Sequence, residues 1–341
     1  MSCTVSRTIT LVAVALCVSF ATGAWAAVTL NGAGATFPQP LYNKWFYDFN
    51  RQTGARVNYQ GIGSGGGIKA IQSRTVDFAG SDAPMTNAEL ATMPAPVVQI
   101  PMVGGAVAIA YNLPGYRGGL ALSPTALVGI YVGSIRRWDD PAIRATNPGK
   151  ALPRTAITVV HRSDSSGTSF IFTGYLSSAS SVWKSRVGTG KSVKWPTGEG
   201  AKGNPGVAGL VKNIPGAVGY MEHAFALQNR IPTAALRNKS GRFVQPSLAG
   251  VTASIQACLG ALKHDNRVPI VNAGGARVYP ICGLTYLIIY QRQADKAKGG
   301  TLVRMLNWCM SSGQKSAPSL QYAPLPGDLV GLNKGLIGRI K

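Results

Sequence analysis

The stretch that decides the fold is Val57-Asn58-Tyr59-Gln60-Gly61-Ile62-Gly63-Ser64-Gly65-Gly66-Gly67. Its first four residues have the composition of a short strand, and the glycines that follow are typical of a turn. Ile68 and Ile71 then give the next segment the apolar spacing of a helix. A strand that passes through a turn into a helix is the repeating unit of α/β proteins, so the predicted fold class is α/β.

The same unit occurs three more times. Its other strands and turns are Val28–Leu30 with Gly32–Phe37, Val76–Ala79 with Gly80–Asp82, and Ile157–Val160 with His161–Thr168. Leu41, Trp45 and Phe49 then recur every four residues, as on the buried side of a helix. Thr86 and Glu89 have the spacing of a capping box, which predicts another helix start.

The rest of the chain predicts how these units are connected. The apolar run 97–110 reads as one or two buried strands that carry the chain between domains. Residues 187–219 are dense in Gly, Pro and Lys, which predicts extended loops. Residues 279–290 form the strongest late strand candidate. At 341 residues, a prior of about 100 to 200 residues per domain predicts two domains.

Residues 1–26 have the pattern of a cleaved secretory signal. Arg7 is followed by an apolar run from Ile9 to Ala21 and by Ala24-Trp25-Ala26, which predicts cleavage near Ala26. The alternative is a membrane anchor, but the run is shorter than the roughly 20 residues that span a bilayer. The sequence therefore predicts secretion into an oxidising compartment.

Three cysteines follow the signal: Cys258, Cys282 and Cys309. Their spacing matches no metal-ligand motif such as C-x-x-C, so no metal site is expected. Three thiols allow one disulfide with one cysteine left over, and the sequence does not select the pair. The odd cysteine is expected to be buried as a small apolar residue.

The chain is strongly basic, with 34 Lys+Arg against 12 Asp+Glu and a formal charge of +22. Loss of the signal would remove only Arg7, leaving +21. A hydrophobic fraction of 45% excludes a disordered polycation. A nucleic-acid or anionic-surface binder is an alternative, but the basic residues are scattered, with Arg136-Arg137 one of few adjacent pairs. No nucleic-acid partner is expected.

The ends of the four predicted strands are the candidate binding site. In α/β sheets such ends converge on a ligand crevice, and helix N-termini there present unpaired N–H groups that favour anions. The hydroxyls of Thr36, Ser64, Ser166 and Thr168 are candidate donors to an oxyanion, and Arg162 is a forked cationic donor. The alternative for each Ser or Thr is a simple helix N-cap.

Asp82 fits an anion site only if the anion carries a proton. Phosphate keeps at least one proton near neutral pH, so a carboxylate can accept its O–H, whereas sulfate would meet a like charge. A site built around such a bond can reject an analogue that lacks the donor by about 10⁴ to 10⁵. Asp82 is therefore the predicted selectivity element, with an N-cap or turn role as the alternative.

Eight segments resemble those of the periplasmic phosphate-binding proteins of the high-affinity Pst ABC transporters, in the family's order and spacing. They are Gly32-Ala33-Gly34-Ala35-Thr36-Phe37-Pro38, Gly61-Ile62-Gly63-Ser64, Asp77-Phe78, Gly80-Ser81-Asp82-Ala83-Pro84, Ile135-Arg136-Arg137-Trp138-Asp139-Asp140, Arg162-Ser163-Asp164-Ser165-Ser166-Gly167-Thr168-Ser169-Phe170, Val187-Gly188-Thr189-Gly190 and Gly219-Tyr220-Met221-Glu222. The resemblance covers nearly all of the mature chain and weakens between Gln245 and Val278.

The resemblance implies a two-lobed class II periplasmic-binding-protein fold, with the ligand cleft between lobes and two inter-lobe crossings. The expected division is 27–103 plus 277–341 for lobe I and 104–276 for lobe II, after the signal peptide at 1–26. It also implies a monomer in the periplasm that needs no cofactor, binds inorganic phosphate and delivers it to the permease and ATPase subunits of an ABC importer.

The implied phosphate contacts are Thr36, Phe37, Ser64, Asp82, Arg162, Ser166, Gly167 and Thr168. Phe37 and Gly167 would act through their backbone N–H groups, and Asp82 would accept the phosphate proton and exclude sulfate. Asp164 would hold Arg162 in a forked salt bridge. No catalytic residue and no metal ligand is implied.

An enzyme that uses Ser166 as a nucleophile is the alternative of a different class. The histidines are His161, His223 and His264, and none lies in a recognisable triad context. His161 is adjacent to Arg162 on a predicted strand and should point to the opposite face. We therefore expect that this protein is not an enzyme. Within the binding class, another tetrahedral oxyanion such as arsenate or sulfate remains the alternative ligand.

Overall fold

The computed structural model describes residues 28–116 and 118–341; the predicted signal peptide, residues 1–26, lies outside them. The strands are β1 (Thr29–Gly34), β2 (Arg56–Gly61), β3 (Phe78–Ser81), β4 (Val97–Tyr111), β5 (Ala121–Leu122), β6 (Thr158–Arg162), β7 (Glu199–Ala201), β8 (Ala217–Glu222), β9 (Ala235–Arg237), β10 (Phe243–Val244) and β11 (Cys282–Tyr290).

The helices are α1 (Gln39–Thr53), α2 (Ser64–Gln72), α3 (Asn87–Ala91), α4 (Pro124–Val132), α5 (Pro141–Arg144), α6 (Gly167–Ala179), α7 (Ser181–Arg186), α8 (Gly203–Asn213), α9 (His223–Gln228), α10 (Leu248–Ala257), α11 (Leu259–His264), α12 (Lys296–Trp308), α13 (Gln314–Ser316) and α14 (Gly327–Ile337). Across the described residues, no helix is both long and apolar enough to cross a membrane.

An eight-stranded sheet organises the chain, in the order β2-β1-β3-β11-β4-β8-β6-β7. β1, β2 and β3 run parallel and form the first strand group, and β6, β7 and β8 run parallel and form the second. β4 and β11 lie between the groups and pair in antiparallel fashion. This arrangement agrees with the predicted α/β class and with two lobes.

The long strand β4 changes partner along its length. Its first part, from Val97 to Ala106, pairs with β11, and its last part, from Val107 to Tyr111, pairs with β8. The register of β4 against β11 shifts between Thr285 and Tyr286, which is a β-bulge. Bulges re-aim the side chains beside them, and Thr285 is one of the residues that face the site described below.

The predicted helix signals at the start of the chain are confirmed. Helix α1 has a proline in its first turn and buries Leu41, Trp45 and Phe49, then ends at Gly54 with a left-handed φ of 75°. Helix α3 has the full capping box, in which Thr86 and Glu89 each bond to the other's backbone N–H. These local signals were sufficient because each satisfies helix-end N–H or C=O groups without distant partners.

The prediction of loops throughout 187–219 is wrong, because strand β7 and helix α8 lie there. Pro205 stands in the first turn of α8, where a missing N–H breaks no helical bond. Val207 and Val211, one turn apart, are fully buried. The Gly- and Pro-rich composition did not indicate helix α8, which is stabilised by the packing of its buried side chains.

The apolar core contains the large aromatic residues and two of the three cysteines. The largest apolar cluster includes Trp45, Trp138 and Trp183, all fully buried. Of the three cysteines, Cys282 and Cys309 are buried and Cys258 is half-buried, and the structure pairs none of them in a disulfide among its described residues. Two of the three therefore behave as small apolar core residues.

Candidate functional site

The carboxyl ends of both strand groups meet at one place. The first group leads into Thr36, Ser64 and Asp82, all of which are at least 97% buried. The second group ends at Arg162, runs into helix α8 at Asn204, and ends at Glu222, and these three are equally buried. A crevice at the carboxyl ends of parallel strands is the usual ligand position in α/β folds.

Ser64 joins the two strand groups through its hydroxyl oxygen. The backbone N–H of Asp82 donates to Ser64 Oγ at 3.2 Å, and the backbone N–H of Gly167 donates to the same atom at 3.1 Å. A serine hydroxyl accepts two hydrogen bonds and donates one. Because both acceptor positions of the Ser64 hydroxyl are used, this group can interact with a ligand only by donating its proton. No described residue accepts that proton.

Thr36 and Thr168 are arranged in the same way by Asn204. Thr36 Oγ1 accepts bonds from the backbone N–H and from Nδ2 of Asn204, at 3.0 and 2.9 Å. Thr168 Oγ1 accepts from Asn204 Nδ2 at 3.1 Å and from Arg162 Nη1 at 3.2 Å. Both hydroxyl protons are therefore also free to donate, and no acceptor among the described residues takes them.

The backbone adds further donors. The N–H of Phe37, a fully buried residue, makes no hydrogen bond to the described part of the chain. A buried N–H without a protein partner is rare in folded proteins, so the Phe37 N–H is a candidate donor to a ligand. Ser166 differs, because its Oγ accepts from the N–H of Ser169 and so caps helix α6. The N-cap alternative weighed for the hydroxyls therefore holds for Ser166.

Arg162 is a buried cation that Asp164 holds in place. Arg162 Nε and Nη2 donate to the two carboxylate oxygens of Asp164 at 2.7 and 2.6 Å, as a forked pair. Burial alone would raise the pKa of Asp164, but the bonds and charge of Arg162 keep it below its ordinary value. Tyr220 fixes the same segment, because its hydroxyl accepts the Arg162 backbone N–H at 3.0 Å.

Asp82 is a buried carboxyl group without a cation in direct contact among the described residues. Burial raises its pKa from an ordinary 3.8 to about 7, against the opposing effects of a Thr285 hydrogen bond and the Arg162 charge. Thr285 Oγ1 donates to Asp82 Oδ1 at 2.9 Å. Oδ2 makes no hydrogen bond to a described residue, so this oxygen is free to accept a proton from a ligand.

The two sides of the crevice approach so closely that glycine is required. A Cβ atom on Gly167 would lie 2.4 Å from Ser64 Oγ and 2.7 Å from Asp82 Cβ. Gly63 has a left-handed φ of 83°, and a Cβ there would lie 2.3 Å from Asp164 Oδ2. Both contacts would force backbone or buried side chains apart. The absence of a side chain at these two glycines therefore lets the two sides of the crevice approach each other.

A second buried acid, Glu222, contacts the residues that orient the site. The Tyr322 hydroxyl donates to the carbonyl of Phe37 at 2.6 Å and lies 2.9 Å from Glu222 Oε2. Burial raises the pKa of Glu222 well above its ordinary value, against the opposing effect of its hydrogen bonds to Tyr322 and to backbone N–H groups. The Glu222 backbone N–H also donates to Asn204 Oδ1 at 2.9 Å. Glu222 thus helps to position both the Phe37 turn and Asn204.

The structure brings all eight sequence-predicted contact residues to one crevice, together with Asp164. Sequence reasoning missed Asn204, Thr285, Glu222 and Tyr322, which hold the others in orientation. Two of them had a local signal: Asn204 lies in a Gly-Asn-Pro sequence after the short strand β7, and Glu222 ends the segment Gly219-Tyr220-Met221-Glu222 that carries part of the family resemblance. Thr285 and Tyr322 lie within ordinary strand and loop sequence.

The histidines do not assist Ser166. The ring of His161 stacks on Trp195 with 4.9 Å between ring centroids, away from the buried Arg162, as strand alternation predicts. Burial lowers the pKa of His223 to about 4, so this ring is neutral. No histidine in the described ranges is hydrogen-bonded to the Ser166 hydroxyl. The arrangement holds oxyanion donors without the base that a nucleophilic serine needs.

The raised pKa of Asp82 predicts how stability depends on pH. A group whose pKa is higher in the folded than in the unfolded state stabilises the protein at low pH, and this contribution is lost as pH rises through the folded pKa. We expect the unfolding free energy of the ligand-free protein to fall between pH 4 and pH 8 through Asp82, by at most about 4 kcal/mol, which is the limit set by the closed crevice described here. Urea unfolding at several pH values measures it.

The control for this prediction is Asp82→Asn, which keeps the shape of the side chain but does not titrate. Glu222 has the same sign of pKa shift, so only the difference between wild type and variant isolates Asp82. That difference should change steadily between pH 4 and pH 7. A difference that is constant over this range would contradict the prediction.

Comparisons with known proteins place this geometry in context. The sequence profile of the PBP superfamily domain matches residues 21–301. The phosphate-binding protein PstS of Xylella fastidiosa is 43% identical over 305 residues, which cover 89% of this chain and 83% of the relative. The PstS of Haemophilus influenzae is 41% identical, with 89% and 91% covered.

One solved structure supports the fold. It is a high-affinity periplasmic phosphate-binding protein bound with phosphate, and it superposes with a TM-score of 0.70 over 90% of this chain and 93% of that one. The sequences are 24% identical, so this likeness bears on the fold alone. It agrees with the two-lobed α/β architecture described above.

Proposed function

This chain belongs to the PstS family of phosphate-binding proteins within the PBP superfamily, and from that premise we propose that it binds inorganic phosphate in the periplasm and delivers it to an ABC-type importer. It is a solute-binding component and not an enzyme. Its partners would be the membrane permease and ATPase subunits. The crevice between the strand groups is the proposed phosphate site.

The observation that carries the proposal is the state of three hydroxyl groups. Ser64, Thr36 and Thr168 each accept two hydrogen bonds from the protein, so each can only donate toward the crevice. The Phe37 N–H and the Arg162 guanidinium add donors at the same place. A set of fixed donors with one cation suits a tetrahedral oxyanion, and each charge-assisted bond contributes about 1.5 to 3 kcal/mol.

Asp82 supplies the proposed selectivity. Its Oδ2 would accept the proton of phosphate, while Thr285 holds Oδ1. Sulfate has no proton to offer near neutral pH, so its oxygens would face the lone pairs of a buried carboxylate. Because burial makes Asp82 a weak acid, it is also a strong hydrogen-bond acceptor for a phosphate O–H. Arsenate keeps a proton as phosphate does and would compete.

Two lobes would close on the ligand. We assign 27–103 plus 277–341 to lobe I and 104–276 to lobe II, with the two crossings in β4 and just before β11. In support, β4 exchanges β11 for β8 between Ala106 and Val107, and β11 begins at Cys282. The contacts of Ser64 with Gly167 and of Thr36 with Asn204 would then form only on closure.

Calorimetry of the mature chain tests the proposed function. After ligand is removed by partial unfolding and refolding, phosphate should bind with one site per chain, arsenate should compete, and sulfate should bind at least about 10⁴-fold more weakly. The companion measurement is phosphate uptake in cells that lack the gene and are complemented with the wild type. Equal affinity for sulfate, or no heat with phosphate, would contradict the proposal.

A further inference from the structure

We propose that Lys191 and Glu89 form a clasp that holds the lobes closed over phosphate and slows its release. This inference rests on the proposed function, because it concerns the closed, phosphate-bound state. Glu89 lies in helix α3, which follows the first strand group, and Lys191 lies in the loop between α7 and β7 of the second. The Lys191 ammonium group forms an ion pair and hydrogen bond with Glu89 Oε1.

Both members of the clasp are held by their own side of the crevice. Glu89 is the third residue of helix α3 and forms the capping box with Thr86, whose N–H donates to Glu89 Oε2 at 2.9 Å. That bond leaves Oε1 for the lysine. The capping box therefore already orients the Glu89 carboxylate, so little side-chain freedom is lost when the ion pair with Lys191 forms.

The lysine is connected directly to the phosphate site. The N–H of Ser166 donates to the Lys191 carbonyl at 2.8 Å, and the neighbouring Gly190 N–H donates to Thr173 Oγ1 on helix α6 at 3.1 Å. Ser166 caps α6, and the first residues of that helix are Gly167 and Thr168. The clasp therefore ties α3 to the loop that holds the N-terminus of α6 at the crevice.

The ion pair of Lys191 and Glu89 is partly shielded from solvent. The side chains of Lys191 and Glu89 are only 18% and 28% exposed, whereas those of the Lys263 and Asp328 pair are about half exposed. Burial alone would raise the pKa of Glu89, but the Lys191 and Thr86 hydrogen bonds hold it below its ordinary value. Glu89 is thus ionised in the closed form, and opening must separate the two charges.

Stopped-flow measurement of phosphate release, with excess trap, tests the clasp. Lys191→Met keeps the aliphatic stem, and Glu89→Gln keeps the capping bond while it removes the charge. Each should release phosphate about two- to five-fold faster than wild type, as expected for a partly exposed ion pair. The double variant should be no faster than either single variant, because the two residues act through one contact.

Lys194→Met is the matched control, since Lys194 is an exposed lysine of the same loop, without an ion pair within the described structure. It should release phosphate at the wild-type rate. Added salt should speed release from the wild type more than from the double variant. Unchanged release in both single variants, or effects that multiply in the double variant, would overturn the clasp alone. A wild type that binds no phosphate would overturn the proposed function and the clasp together.

Discussion

Replacing Arg162 with alanine is expected to weaken phosphate binding at least a hundredfold. Arg162 is the buried cation of the crevice, and its Nη1 also holds Thr168 Oγ1, so the variant loses both a charged donor and an oriented hydroxyl. It also leaves Asp164, whose side chain is only 12% exposed, as an unpaired carboxylate that would repel the ligand. Truncating one partner of a buried charge pair typically costs about 2 to 5 kcal/mol. Calorimetry with phosphate measures the loss.

The double variant Arg162→Met with Asp164→Asn separates stability from affinity. Urea unfolding of Arg162→Ala should show a loss of about 3 kcal/mol or more, because an unpaired buried charge remains. The double variant removes both charges and should regain most of that stability while phosphate affinity stays low. Phosphate affinity within tenfold of wild type in Arg162→Ala would show that Arg162 does not contact the ligand.

Replacing Asp82 with asparagine is expected to lower the preference for phosphate over sulfate at least a hundredfold. The introduced amide has nearly the size of the carboxylate, and its nitrogen can donate to a sulfate oxygen where the carboxylate would repel it. Phosphate would lose the acceptor for its proton and should bind more weakly, while sulfate should bind more tightly. This change is a large part of the roughly 10⁴ to 10⁵ discrimination that such a bond can supply.

Thr285→Val is the matched control for Asp82→Asn. It removes the hydrogen bond to Asp82 Oδ1 at nearly constant volume and leaves the carboxyl group itself in place. Titrations with both anions should show that its sulfate binding stays weak. An Asp82→Asn variant that keeps the wild-type ratio of affinities, or binds phosphate more tightly, would exclude the proton-acceptor role.

The scarcity of acids also explains why Asp82 is conspicuous. All twelve acidic residues lie in the described part of the chain, and seven of them take part in ion pairs there. Asp140 and Asp295 cap helices, and Glu199 is exposed. Asp82 and Glu222 remain as buried acids without an ion pair, one at the ligand position and one beneath it. The two buried acids thus belong to the crevice, and the excess of basic residues lies outside it.

Much of the fold could be predicted because its signals are local. The capping box of Thr86 and Glu89 acts over a few residues and stands where it was expected. The glycine-rich turn predicted at 61–67 is shorter in the structure, because β2 runs to Gly61 and helix α2 begins at Ser64. Helix α8 was missed, since its stability comes from packing Val207 and Val211 into the core and not from its Gly- and Pro-rich sequence. Local composition does not report that packing.

By itself, the sequence determined the α/β class and indicated the eight candidate contacts, because each contact lies in a short local motif that follows a predicted strand. The strand ends were less exact, since β1, β3 and β6 extend to Gly34, Ser81 and Arg162. Only the tertiary structure decided what holds those contacts in orientation. Asn204 reaches Thr36 across 168 residues, Thr285 reaches Asp82 across 203, and Tyr322 reaches Phe37 across 285. The strand order of the sheet brings these partners together, and a hydroxyl becomes a committed donor only when such distant groups occupy its acceptor positions.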